Sequence, residues 1–174
     1  MSSSLRGPNF EFRGIHHVAL VSRDMARTVA FYRDVLGMPL VKTLELPEGK
    51  GQHFFFDAGG ASIAFFWYPD APAAEAGVVQ APRGGGVSAH GSMNHLAIAV
   101  DLDALESYRQ RLADAGLEVT EVVSHQDPDV IVNGETTFVN SIYFHDPDGI
   151  RLEFAAWTRG LVPDDVHHEP QAAS

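Results

Sequence analysis

There is no cysteine among the 174 residues. Disulfides, thiol nucleophiles and thiolate ligands are thereby excluded, so a metal would have to be held by nitrogen and oxygen donors. Positive charge is scarce: 12 Lys and Arg stand against 23 Asp and Glu, a formal net charge of -11. No segment has the Lys/Arg density that a phosphate backbone or an anionic membrane surface demands, so nucleic acid and membrane are not expected partners. A small anionic substrate, which needs only one local cation, stays open. Long hydrophobic runs are missing too. The longest, ASIAFFWY at 61–68, is too short to cross a bilayer, and MSSSLRGPNFEFRG at the start lacks the apolar core of a secretory signal. A cytoplasmic protein is the expectation.

What is present is a half-chain repeat. Residues 16–21 read HHVALV and residues 94–99 read NHLAIA. A helix-like stretch ending at glycine follows each, DMARTVAFYRDVLG and DLDALESYRQRLADAG. The interval from His17 to Gly37 is 20 positions and from His95 to Gly116 it is 21. Asp24 caps a predicted helix over 25–36, with Met25, Val29, Tyr32 and Leu36 at helical spacing. Strands are expected at 15–21, 40–46, 52–57 and 61–67, and again at 94–100, 117–123, 137–145 and 150–156 around a helix at 102–115. This is an α+β chain of two tandem β-α-β-β-β modules, 14–68 and 93–157, in one domain spanning 14–157. A Pro-, Ala- and Gly-rich linker covers 69–92 and a polar tail covers 158–174. In the arm before residue 14, Phe10 and Phe12 can add an edge strand.

The repeat places a histidine at the same point of two related strands. Glu153 lies in the final strand within RLEFAAW, alternating with apolar Leu152 and Phe154. A carboxylate facing an interior needs a partner or a metal. His17, His95 and Glu153 make a two-histidine, one-carboxylate set with open positions, suited to Fe(II), Mn(II) or a related divalent ion. His16 reads as a partly buried or surface histidine, His90 and His125 as solvated loop histidines, and His167 and His168 as an exposed pair in the tail.

The segments HHVALVSRDMARTVAFYRDVLGMPLV, NHLAIAV and SIYFHDPDGIRLEFAAW resemble the vicinal oxygen chelate superfamily. That group includes glyoxalase I, bleomycin-resistance and fosfomycin-resistance proteins, and type I extradiol dioxygenases. The resemblance implies paired modules curled into a cup around one divalent ion per chain, held by His17, His95 and Glu153, and commonly a homodimer. Glyoxalase-like members usually offer a fourth ligand, a carboxylate in the last strand of the first module. Aligning DAGGASIAF with HDPDGIRLEF puts Ala64 there, which leaves three ligands.

Three ligands leave room for a chelating catecholate and O2, so the expected activity is a metal-dependent dioxygenase of the extradiol type with Fe(II) favoured. Mn(II), Ni(II) and Zn(II) are the alternatives. Tyr143 lies ten residues before Glu153, the spacing of a substrate-contacting tyrosine in those enzymes. His145 shares its strand parity and is the candidate acid-base group. The catalytic pair is thus Tyr143 and His145, and the substrate a small, aromatic molecule. Alternative readings are a glyoxalase-like lyase or isomerase, a fosfomycin-resistance-like transferase, and a non-catalytic bleomycin-resistance-type binding protein.

Overall fold

The computed structural model describes residues 14–72, 93–168 and 170–171. The arm with Phe10 and Phe12, and the linker segment 73–92 with His90, lie outside the described residues. Contacts divide the chain into two compact units, Met1–Ala74 and Glu75–Ser174.

Unit 1 contains β1 (His17–Val21), α1 (Met25–Val29), β2 (Leu40–Glu45), β3 (Gln52–Asp57) and β4 (Ser62–Trp67). They form a four-stranded mixed sheet ordered β1-β4-β3-β2, with β1 parallel to β4. Asp24 caps α1 by accepting a hydrogen bond from the Arg27 amide at 3.1 Å. The expected single helix over 25–36 is two pieces, because Ala30–Val35 widens to a π-helix. The Leu36 amide reaches back five residues to the Phe31 carbonyl.

That wider turn belongs to a stretch whose Phe31 and Tyr32 are both buried. The Tyr32 ring lies 4.8 Å from Phe65 and 5.4 Å from Phe56, centroid to centroid. One face of the sheet, carrying Phe56, Ile63 and Phe65, is therefore the buried one. Each such side chain contributes about 1.5–3 kcal/mol. By strand alternation, the opposite face carries His17, Ala19, His53, Phe55, Ala64 and Phe66.

Unit 2 repeats the order. β5 (Leu96–Ala99), α2 (Leu105–Asp114), β6 (Val123–Gln126), β7 (Thr137–His145) and β8 (Arg151–Trp157) form a sheet ordered β5-β8-β7-β6. Ile142, Phe144, Leu152 and Phe154 are buried, and the Phe154 ring meets Tyr108 of α2 at 5.9 Å. The opposite face carries Ala97, Ser141, Tyr143, Arg151 and Glu153.

The strand expected at 117–123 is displaced to β6. The Thr120 amide donates to the Tyr143 carbonyl, but its hydroxyl rather than its carbonyl takes the Tyr143 amide. A side chain standing in for the backbone interrupts the ladder there. His125 is consequently a strand residue, not a loop residue. The tail is tied down as far as residue 165: Arg159 makes a bidentate ion pair with Asp165, both largely buried.

Candidate metal centre

On unit 2, His95 stands one residue before β5 and Glu153 lies in β8. Their donor atoms converge, with His95 Nε2 2.7 Å from Glu153 Oε2. Two donors bound to one ion at about 2.1 Å each sit roughly 3 Å apart, so this geometry needs only slight opening to admit one. Asn94 Oδ1 meets His95 Nδ1 at 2.6 Å and fixes the ring from that edge, so that Nε2 is the nitrogen aimed at Glu153.

The other oxygen of Glu153 is held separately. Oε1 accepts from the Ser141 hydroxyl and, at 3.2 Å, from the Tyr143 hydroxyl. Glu153 is only 6% exposed, and a buried carboxylate with one oxygen secured and one aimed at a histidine fits a divalent ion. Tyr143 also meets His125 Nε2 at 3.0 Å, completing a relay His125–Tyr143–Glu153. Burial, then the nearby Glu153 charge, raises the Tyr143 pKa above the ordinary phenol value. The Arg151 guanidinium lies 4.3 Å from the Tyr143 ring centroid and supplies one cation on this face.

His17 belongs to unit 1, where its Nδ1 lies 2.8 Å from His16 Nδ1. His16 thus steadies the ring from its Nδ1 edge, a role its place in the sequence did not suggest. His17 packs edge-on to Phe55 at 6.0 Å. The two units share one register. Ala19 pairs with Ala64 as Ala97 pairs with Glu153, and His17 and His95 each stand two residues before. Ala64 therefore occupies the Glu153 position of unit 1, which offers no carboxylate there.

Of the expected catalytic pair, Tyr143 joins the cluster and His145 does not. His145 is exposed, opposite Arg151 at the end of β7. Two residues along a strand carry it roughly 7 Å from the Tyr143 position. The sequence reading of His125 as a solvated loop histidine followed from the misplaced strand; it lies in β6 and meets the Tyr143 hydroxyl. Asp129, His167 and His168 also bring donor atoms within 4.8 Å of one another, but all three are exposed.

Three relatives place this site in context. The lactoylglutathione lyase of Salmonella typhimurium is 32% identical over 140 residues, 79% of this chain and 87% of that protein. The metallothiol transferase FosB of Shouchella clausii is 28% identical over 160 residues, 91% and 89% of the two chains. The putative ring-cleaving dioxygenase MhqE of Bacillus subtilis is 27% identical over 62% of this chain but 33% of its own length. Among solved structures, the fosfomycin resistance protein FosX from Listeria monocytogenes, complexed with Mn(II) and sulfate, has a TM-score of 0.56. It is 19% identical, over 84% of this chain and 94% of that one, and shows the shared fold. Residues 14–154 match the glyoxalase/bleomycin resistance protein/dioxygenase superfamily as one block, and the chain belongs to that superfamily.

Proposed function

We propose that the chain is a divalent-metal enzyme of the glyoxalase-like lyase or isomerase class. Its substrate is a small molecule with two neighbouring oxygens. The observation that carries the reaction class is the 32% identity to lactoylglutathione lyase across 87% of that protein. These relatives support the lyase alternative over the catechol dioxygenase that three open positions suggest. The thiol transferase reading, from FosB, shares the same ligand set.

His17, His95 and Glu153 are the proposed ligands. A bound divalent ion supplies Lewis acidity toward vicinal oxygens. The protein's own part is positional. Ser141 and Tyr143 fix Glu153, Asn94 fixes His95, and the Tyr143–His125 pair offers a hydroxyl and an imidazole for proton movement. Nitrogen and oxygen donors alone permit Mn(II), Ni(II), Zn(II) or Fe(II). A homodimer and a cytoplasmic setting complete the proposal.

The dioxygenase stays as a second reading on one observation. Tyr143 bridges Glu153 and a histidine, as a group contacting an ionised catechol would. The test is a panel run on protein loaded with each metal under anaerobic handling. Thioester formation from the methylglyoxal–glutathione hemithioacetal is expected. O2 uptake with catechols, or thiol addition to fosfomycin, without thioester formation would overturn the lyase assignment.

A further inference from the structure

Asp127 and Asp129 follow β6 in a turn that unit 2 holds at both ends. The Asp127 amide donates to the Thr136 carbonyl, the Val130 amide returns to the Asp127 carbonyl, and Val130 is buried. Asp127 Oδ1 accepts from the Asp129 amide at 3.1 Å, an Asx turn that leaves Oδ2 for another partner. The tail meets this turn from an anchor of its own. Arg159 and Asp165 form their bidentate pair with side chains 8% and 15% exposed, and Asp165 also accepts from the Val162 amide.

His167 is the point of contact. Its Nδ1 lies 3.0 Å from the Asp164 carbonyl oxygen. A carbonyl only accepts, so Nδ1 carries the hydrogen and Nε2 is the nitrogen turned to the aspartates. Nε2 stands 3.9 Å from Asp127 Oδ2 and 3.9 Å from Asp129 Oδ2. Both distances are beyond hydrogen-bond reach. Two carboxylates therefore converge on one nitrogen without bonding to it. The His168 ring packs on that of His167 with centroids 3.9 Å apart. One donor atom each of Asp129, His167 and His168 lies within 4.8 Å of the other two. Donors on one tetrahedral ion at about 2.1 Å stand roughly 3.4 Å apart, so side-chain rotations of about an ångström close the group.

We propose that Asp129, His167 and His168 form a second metal site, for a Zn(II)-like divalent ion, sharing no residue with the His95–Glu153 centre. The fourth position is left to water, and Asp127 adds negative charge beside the His167 ligand. Two imidazoles and a carboxylate suit Zn(II), Ni(II) or Cu(II) and disfavour Ca(II) and Mg(II), which take oxygen shells. A backbone carbonyl holding Nδ1–H is the outer support that a ligating imidazole takes. Arg159 feels the Asp127 charge but gives its hydrogen bonds to Asp165 and the Gly160 carbonyl. A bound ion stitches the end of the tail to the turn after β6, the strand that carries His125.

The test is calorimetric titration of metal-stripped protein with Zn(II). It is run on His95→Ala, in which the centre described above should be lost, and on the same chain with His167→Ala or Asp129→Asn added. His95→Ala is expected to take up one Zn(II) per chain at micromolar concentration, and either added change to lose it. Wild type and single His167→Ala should likewise differ by one Zn(II) per chain, a comparison that stands if His95→Ala fails to fold. Millimolar Ca(II) or Mg(II) should not displace the ion. In 15N-histidine-labelled protein, Zn(II) should shift the His167 Nε2 resonance while Nδ1 keeps its hydrogen.

Undiminished Zn(II) binding after His167→Ala would overturn the proposal. Uptake only at millimolar Zn(II), an adventitious ion only, would do the same. Displacement by Ca(II) would make oxygen donors sufficient and remove the histidines from the site. A His167 Nε2 that stays protonated while Zn(II) saturates would leave an ion pair with the aspartates and no metal ligand. A folded His95→Ala chain that binds no Zn(II), beside a wild type that binds one, would assign that ion to His95 and Glu153 and reject the second site.

Discussion

Glu153 divides its two oxygens between two tasks, and that division makes single-residue tests sharp. Oε1 is pinned by Ser141 and Tyr143, and Oε2 faces His95. Ser141→Ala should therefore weaken metal binding about 10–100-fold while leaving the fold intact. Calorimetric titration of metal-stripped protein measures this, best in a His167→Ala, His168→Ala background that silences the exposed trio with Asp129. Unchanged affinity would show that the hydroxyl does not position Glu153. His95→Ala should lose the metal outright. The proposed ligands His17, His95 and Glu153 were read from the sequence because the repeat set two of them in matching places and strand alternation turned the third inward; of these the structure brings His95 and Glu153 together. The strand position of His125 was not read there, since it depends on where β6 pairs with β7.

At the scale of elements, turn chemistry decides more than helix or strand propensity does. Gly51 joins the turn after β2 to β3 at φ +139°, and a Cβ there would meet the Trp67 carbonyl oxygen at 2.0 Å. Gly51→Ala should cost about 2–3 kcal/mol, visible as an earlier urea midpoint, with β2–β3 pairing the part disturbed. The tail carries a pH signature. Asp165 is held down at about 2, first by the Arg159 guanidinium and then by the Val162 amide.

Its charged form is the one the fold favours, so its contribution is present above the ordinary carboxylate pKa of about 4. It is lost as pH falls through about 2. The melting difference between wild type and Asp165→Asn should shrink to nothing across that interval; a difference constant with pH would contradict the ion pair's role. Most strands were legible from alternation. β6 was not, because a threonine hydroxyl, invisible to periodicity, takes a backbone amide and shifts the strand by several residues.

Over the whole molecule, the two units are the same solution reached twice. Each folds its helix against one sheet face and puts its chemistry on the other, so the module order was readable from one repeat of strand, helix and glycine stop. Among the described residues each four-stranded sheet also has two outer strands, β1 and β2 in one unit and β5 and β6 in the other. Val21, Val41 and Trp157 are more than half exposed, an amount of uncovered apolar surface that favours association. A homodimer is the expected state, with symmetric burial of such residues. Sedimentation equilibrium at micromolar concentration should give twice the 18.9 kDa chain mass. Val41→Lys, on an edge strand and apart from every proposed ligand, should shift the equilibrium toward monomer if β2 lies in the contact. Metal affinity measured on that variant then separates two arrangements. If affinity survives in the monomer, one chain completes its own site; if it falls in step with dissociation, His17 of one chain works with His95 and Glu153 of another. A wild type that stays monomeric throughout would refute the dimer and require one chain to supply all three ligands.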